Sequence, residues 1–280
     1  MITRVDLGAT QLTNSNRYLQ SASNLAFPDI MATIARKASF AGQKVQLGKP
    51  GGYKFAMDWL VTGSSFSDLA SQRETFIKLL GQLIKDGSYT LKIYKSNSIN
   101  VQIEIFSVGV SGSVDAKDGA TSKVLVDFAS EYPFLLSQTE NSSDVLVFNG
   151  GGMAIPMGLP MDMSAGGSNE ATLTSNGNVG AYPTLTFFGP LSNPSIQNVT
   201  TGKILSVNYS LASISDYLII DTFKRTALLY SGSPSGINVR QYVSGDFWTL
   251  EPGNNLIHLG NSSVTSGKCT VKWRDHYLGI

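Results

Sequence analysis

The residues best suited to metal chemistry lie near the end of the chain. His258, His276 and Cys269 could supply nitrogen and sulfur ligands to zinc. Their spacing follows none of the usual zinc patterns, and His258 lies in an alternating run, residues 256–259, where it is expected to point outward from a strand. Cys269, the only cysteine, is expected to be a buried strand residue. The sequence therefore predicts no metal site and no intramolecular disulfide.

Covalent or acid–base catalysis has equally weak support. A serine hydrolase needs an activated serine, and the chain has no Gly-x-Ser-x-Gly elbow, although Asp221, His258 and a serine could be combined on paper. Asp216 and Asp221 flank one apolar run, and a carboxylate pair for glycoside hydrolysis stays open because its members can be far apart in sequence. Neither a Walker loop nor a dinucleotide-binding glycine motif is present. We expect no catalytic residues and no cofactor; a cell-wall-cleaving enzyme is the less favoured alternative.

Composition narrows the class of protein further. Of 280 residues, 42% are hydrophobic and 15% charged, a balance that excludes a disordered chain. Lys and Arg number 21 against 20 Asp and Glu, so the basic excess typical of general nucleic-acid binders is missing. No stretch reaches the roughly 18 apolar residues of a membrane span, and the start does not resemble a secretory signal. We expect a protein that folds in a reducing cytosol.

The character of the sequence changes near residues 131–136. Before this point basic residues outnumber acidic ones, whereas after it acidic residues are in excess and Gly and Asn become more frequent. A polar run, residues 137–144, follows directly. Composition shifts of this kind mark domain boundaries, so we predict two domains, 1–138 and 139–280.

The first domain combines strands with one clear helix. Apolar residues recur at helical spacing over 67–86, with Ser65 or Ser67 as the cap, and a second, shorter helical piece is expected over 28–37. Apolar and polar residues alternate over 89–93 and 101–105, which predicts strands. Residues 109–120 are rich in Gly, Ser and Asp and predict a protruding hairpin.

The second domain is predicted to be all β. About eight short apolar runs alternate with turns rich in Gly and Pro, as in a sandwich or jelly roll. Residues 150–180 lack periodicity and predict an irregular loop with room for one strand inside it. Aromatic residues crowd this domain, where they can either fill the core between two sheets or stack on sugar rings. Trp248 is the one we select as a possible contact with a glycan or a partner.

Five short motifs follow one another in the C-terminal half. They read NGN with YPTLTFFGP (176–178, 182–190), NPSIQNVTTG (193–202), DYLIIDT (216–222), DFWTLEPGNN (246–255), and VKWR with YLGI (271–274, 277–280). In this order they resemble the distal tail (Dit) proteins of long-tailed siphophages. The N-terminal half resembles the same family through its single helix and through the segment FASEYPF at 128–134.

The resemblance implies a fold and a structural role. The fold would be mostly β, with an N-terminal β-sandwich-like domain that carries one α-helix and a C-terminal galectin-like or jelly-roll β-sandwich. Six copies would form a hexameric ring, the distal tail hub, which connects the tail tube to the baseplate or receptor-binding apparatus and surrounds the DNA channel. Expected partners are the tail tube protein, a tail-tip hub or tail-associated protein and a receptor-binding protein, while genomic DNA passes without specific binding.

The ring contacts are expected in the hairpin of the first domain. We select Ser111, Val114 and Lys117 as candidate interface residues. The resemblance implies that the protein is located at the tail tip of the virion after assembly in the bacterial cytoplasm, with no membrane span. The alternative function is that of a carbohydrate-binding β-sandwich protein, which would contact host cell-wall glycans through Trp248.

Overall fold

The structure is a computed structural model of the chain. It describes residues 2–23, 30–36, 43–50, 52–85, 89–96, 100–113, 121–147, 169–232, 234–260 and 267–279. Two compact units divide the chain. The N-terminal unit comprises Met1–Gln138 and His276–Ile280, and the C-terminal unit comprises Thr139–Asp275. Residues 276–280, which the sequence predicts in the second domain, belong to the N-terminal unit.

The N-terminal unit contains strands β1–β11, the final strand β23 and helix α1. Their bounds are β1 Ile2–Leu7, β2 Thr10–Gln11, β3 Arg17–Ser23, β4 Ile30–Arg36, β5 Gln43–Pro50, β6 Tyr53–Thr62, α1 Phe66–Lys85, β7 Tyr89–Lys95, β8 Val101–Ile105, β9 Ser107–Ser113, β10 Thr121–Ser130, β11 Leu135–Ser137 and β23 His276–Tyr277. One sheet has the order β2-β1-β7-β8-β11-β23, a second has the order β3-β6-β10-β9, and β4 pairs with β5 alone.

Alternation along the central strands builds the core of the N-terminal unit. In β6 and β10 every second residue is buried, so one face of the four-stranded sheet packs inward. The buried residues of both sheets and of α1 form one hydrophobic cluster. Phe76 of α1 packs against Trp59 of β6, with ring centroids 5.5 Å apart. The predicted β-sandwich-like unit with one helix is therefore confirmed.

Helix α1 begins and ends within one residue of the predicted limits. Ser65 Oγ accepts a hydrogen bond from the Asp68 backbone N–H at 3.2 Å, so Ser65 rather than Ser67 caps the helix. Asp68 in turn accepts from the Ser64 backbone N–H at 2.7 Å. The second predicted helix, over 28–37, is wrong because Ile30–Arg36 forms β4, which pairs with β5.

The C-terminal unit is a sandwich of two antiparallel sheets. Its strands are β12 Asn141–Leu146, β13 Glu170–Ser175, β14 Thr184–Phe188, β15 Ser195–Asn198, β16 Lys203–Val207, β17 Tyr217–Asp221, β18 Thr226–Tyr230, β19 Ile237–Asn238, β20 Val243–Gly245, β21 Gly253–Gly260 and β22 Lys268–Trp273. The sheet orders are β12-β22-β14-β17-β18-β19 and β13-β21-β15-β16-β20. Both sheets contribute to one core cluster. The prediction of a mostly β protein is confirmed.

Two glycines of the C-terminal unit provide a matched pair of substitutions. Gly245 has φ +90° and its added Cβ would lie 2.3 Å from the Ile204 carbonyl oxygen, whereas Gly253 has φ +94° and open space. Replacing Gly253 with alanine should lower the free energy of unfolding only by the strain of a left-handed backbone, about 1–2 kcal/mol. Replacing Gly245 with alanine should lower the free energy of unfolding by roughly 1–3 kcal/mol more, because the backbone of β16 must also move. Thermal unfolding of both variants measures the difference, and equal losses would contradict the close approach.

Candidate assembly surfaces

The four-stranded sheet of the N-terminal unit has two open edges. β3 forms one edge and β9 the other, and within the described residues neither pairs with a further strand on its outer side. Because every neighbouring pair in this sheet is antiparallel, β3 and β9 also run antiparallel to each other. An unpaired edge presents free N–H and C=O groups and is a template for pairing with another chain.

The charged side chains on the outward face of this sheet balance one another. The side chains that alternate with the buried residues of β6 and β10 include two lysines and two aspartates: Lys54, Asp58, Lys123 and Asp127. Ser21 of β3 donates a hydrogen bond to Asp58 Oδ2 at 2.6 Å. A depression of about 350 Å³ lies beside Gly109 and includes Lys54 and Asp127. The face offers no excess of positive charge to hold a polyanion.

Exposed apolar side chains accompany the β9 edge. Ser111, the first predicted ring contact, is exposed in β9, whereas Val114 and Lys117 lie outside the described residues. Phe106 immediately precedes β9 and is 52% exposed, and Val110 within the strand is 39% exposed. The sequence predicts neither as a contact, because Phe106 directly follows the alternating run 101–105 and Val110 lies in a segment distinguished by its Gly, Ser and Asp content. An exposed apolar edge of this kind is typical of an interface.

Trp248 lies in the core of the C-terminal unit. Its side chain is fully buried, and its indole N–H donates a hydrogen bond to the Ile196 carbonyl at 3.4 Å. The ring therefore has no solvent-facing surface on which a sugar or a partner could stack. This position is not compatible with the expected contact between Trp248 and a glycan or a partner. The side chain instead fills the space between the two sheets.

Three other aromatic rings form a row on the outward face of the six-stranded sheet. Phe188, Tyr217 and Tyr230 lie opposite one another on β14, β17 and β18. The two tyrosine rings stack with centroids 4.8 Å apart, and Lys268 Nζ lies 5.3 Å from the Phe188 centroid. Gly236 packs against the Tyr230 ring. These neighbours occupy ring faces that a sugar would need, so the row stabilises the sheet rather than offering a stacking platform.

An apolar groove of about 420 Å³ adjoins this row. Ile214 and Leu146, which are 83% and 56% exposed, lie along it together with Phe188. Lys268 at its border donates a hydrogen bond to Asp144 at 2.7 Å. This bond, together with one from Thr270, holds the pKa of the Asp144 carboxyl below its usual value. The charged pair therefore flanks an otherwise apolar surface.

The structure places the residues considered for catalysis or metal binding in different strands. Asp221 Oδ1 accepts from the backbone N–H groups of Phe223 and Lys224, both at 2.9 Å, while His258 lies on β21 in the other sheet. His276 is buried in the N-terminal unit and lies 2.5 Å from the Tyr132 hydroxyl. Cys269 is buried, as predicted, and burial raises the pKa of its thiol.

Two features are absent from the part of the chain that the structure describes. The described part of the chain contains no group of three or more His, Cys, Asp or Glu side chains that could hold a metal ion. Among the described helices, none is long and apolar enough to cross a membrane.

The comparison with protein families decides the assignment of the C-terminal unit. Residues 176–277 match the family described as siphovirus-type tail component, C-terminal domain. These residues belong to that family. The matched range contains nearly all of the five motifs, and the recognition of a Dit protein from those motifs is confirmed. The chain is therefore a structural component of a phage tail.

One similar solved structure agrees with this assignment at the level of the fold. The Dit protein of phage SPP1, described as a paradigm of the hub adsorption apparatus in phages that infect Gram-positive bacteria, aligns with a TM-score of 0.63 at 13% identity and covers 98% of both chains. Two structures of the phage P2 baseplate, in activated conformations with Ca and with Sr, give TM-scores of 0.46 and 0.43 at 11% identity. They cover 97% and 96% of this chain and 98% and 97% of theirs. No curated protein matches the sequence.

Proposed function

We propose that the chain is a distal tail hub, in which six copies close a ring around a DNA channel. The observation that carries the proposal is the sheet β3-β6-β10-β9, whose two free edges run antiparallel to each other. Edges in this arrangement can pair head to tail, so that β9 of one copy extends the sheet at β3 of the next. A closed ring then removes both open edges of this sheet. The likeness in fold to SPP1 Dit over 98% of both chains supports this reading.

The outward face of the same sheet suits the wall of a DNA channel. Its two lysines and two aspartates cancel in charge, so the phosphate backbone meets no basic stripe that would release counterions and bind tightly. DNA would slide past this surface during ejection. The function requires no catalytic residue and no cofactor, and in this proposal the chain is not an enzyme.

The remaining surfaces provide contacts with other tail proteins. In the proposed assembly the ring of N-terminal units meets the tail tube protein and a tail-tip hub or tail-associated protein, and the C-terminal units attach the receptor-binding apparatus. The protein assembles in the host cytoplasm and functions at the tail tip of the virion. Exposed apolar side chains on both units are consistent with several partners.

The mass in solution tests the ring directly. Multi-angle light scattering of the purified chain should give about 180 kDa, six times the chain mass of 30.0 kDa. Negative-stain images of the same fraction should show a particle with a central hole. A species of 30.0 kDa at every concentration examined would overturn the self-assembled ring.

A further inference from the structure

The β3 edge of the four-stranded sheet carries an exposed aromatic ring. Tyr18 of β3 lies opposite Leu60, which alternates with the buried residues of β6, so the tyrosine side chain is on the outward face. Tyr18 is 50% exposed. Its hydroxyl donates a hydrogen bond to the Ser15 carbonyl in the preceding turn, an exposed bond that water can replace. The ring is therefore available to a group that approaches this edge.

The β9 edge carries a depression on the same face of the sheet. Gly109 of β9 lies opposite Asp127 of β10, which lies opposite Ala56 of β6. Gly109 has no side chain and Ala56 has only a methyl group, so the depression of about 350 Å³ opens here, with Ala129 also lining it. A glycine inside a strand often marks a place where another part of a structure approaches closely.

The free chain has room for a side chain at Gly109. A Cβ added there would lie 3.6 Å from Asp127 Cβ, an ordinary van der Waals contact, and the backbone is not in the left-handed region. Within the described part of the chain, neither the packing nor the backbone conformation calls for a glycine at this position. The space is therefore open to a group from outside the chain.

The tilt of the strands in a closed barrel decides which residues of two copies would meet. Barrel strands are inclined by about 35–45° to the barrel axis. The four strands of one copy span about 19 Å, so this tilt displaces the next copy along the strands by about 13–19 Å, or about four to six residues. The displacement must be an even number of residues, because an odd number would turn neighbouring side chains to opposite faces.

The register of the sheet converts this displacement into a pair of residues. Tyr18 at one edge is level with Ser113 at the other, so pairing without displacement would bring these two residues together. A displacement of four residues toward the start of β9 brings Tyr18 beside Gly109 instead. In that direction residues 17–21 stay opposite described residues of β9, whereas the opposite direction leaves only Ser23 in such a position.

We propose that Tyr18 of one copy packs over Gly109 of the next and fills the depression, and that this contact sets the register of the ring. The inference rests on the proposed ring. The occupant is a second copy of this chain because the exposed ring and the depression lie on the two edges that the ring joins, and on the same face. An aromatic side chain over a glycine of the neighbouring strand covers exposed backbone and stabilises the pair.

Filling the depression from within one chain tests the contact. The full-length variant Gly109→Val adds a β-branched side chain where a Cβ has room, so the free chain should melt at the same temperature or higher. The Tyr18 ring of the next copy then has no space, and the ring should dissociate at a chain concentration at least about tenfold higher. Light scattering over a dilution series measures this concentration. A variant that dissociates at the wild-type concentration would overturn the contact.

The control is Gly81→Val, which makes the same change on α1. A Cβ added at Gly81 meets no described atom within 4 Å, and valine has a higher helix propensity than glycine. This variant should fold as the wild type does and leave ring dissociation unchanged. Equal weakening of the ring by both substitutions would count against a specific role of Gly109 and overturn the contact.

Paired cysteines measure the register directly. Tyr18→Cys combined with Gly109→Cys should give disulfides between copies, seen on a denaturing gel without reductant as a ladder that extends to the closed ring. Tyr18→Cys combined with Ser113→Cys, the pair expected without displacement, should give none. The native Cys269 is buried and does not compete.

The outcomes separate the register from the ring itself. In intact rings, links at position 113 instead of position 109, or no link in either variant, would overturn the inference and leave the ring standing. A wild-type chain that never exceeds 30.0 kDa would instead overturn the proposed ring, and the inference with it.

Discussion

Replacing Trp248 with alanine should lower the free energy of unfolding of the C-terminal unit by about 3–5 kcal/mol. The ring is fully buried in the core that both sheets share, and its indole N–H is bonded to the Ile196 carbonyl. The substitution removes a large apolar side chain, leaves a cavity, and leaves that carbonyl without this donor. Scanning calorimetry of the full chain, with separate transitions assigned to the two units, measures the loss.

Ile214→Ala provides the matched control in the same unit. Ile214 is 83% exposed, so its truncation should change the stability by no more than about 0.5 kcal/mol. Trp248→Phe should recover much of the stability because it keeps most of the apolar volume. A Trp248→Ala protein that melts with the wild type, yet loses binding on a glycan array, would reverse this assignment and restore the sugar-contact hypothesis.

Local patterns predict the helix and many strands of this chain. The apolar spacing over 67–86 predicts α1 to within one residue at each end, because the stripe with Leu69, Phe76 and Leu80 is buried as the pattern requires. The predicted run 217–221 coincides with β17, because the alternation of apolar and polar residues indicates which face of the strand is buried. The burial of Cys269 also follows from its strand.

Features that depend on distant partners are not predictable in this way. Residues 30–36 contain alanines that favour a helix, but pairing with β5 makes them a strand. The return of His276–Tyr277 to pair with β11 depends on the position of a strand far back in the sequence. Alternation alone cannot reveal that Trp248 is enclosed, because its burial depends on what the rest of the chain places around it.

Introducing a lysine at Val110 should disrupt the proposed ring while leaving the free chain folded. Val110 is 39% exposed on the β9 edge, where a neighbouring β3 would pair. Burying a lysine ammonium in that contact removes it from water without an assigned partner, and charged residues on edge strands oppose strand pairing. The chain concentration at which the ring dissociates should rise at least about 100-fold, which corresponds to about 3 kcal/mol. Light scattering should then show mostly the 30.0 kDa chain.

Val199→Lys is the control for this substitution because it makes the same change at the same exposure. Val199 is 40% exposed but lies in the C-terminal unit, outside the sheet whose edges would pair. The Val199→Lys variant should still form a ring. As separate chains, both variants should have a free energy of unfolding within about 0.5 kcal/mol of that of the wild type. If the Val110→Lys ring persists at full mass, β9 is not the pairing edge, whereas loss of the ring in both variants would point to a general effect of added charge.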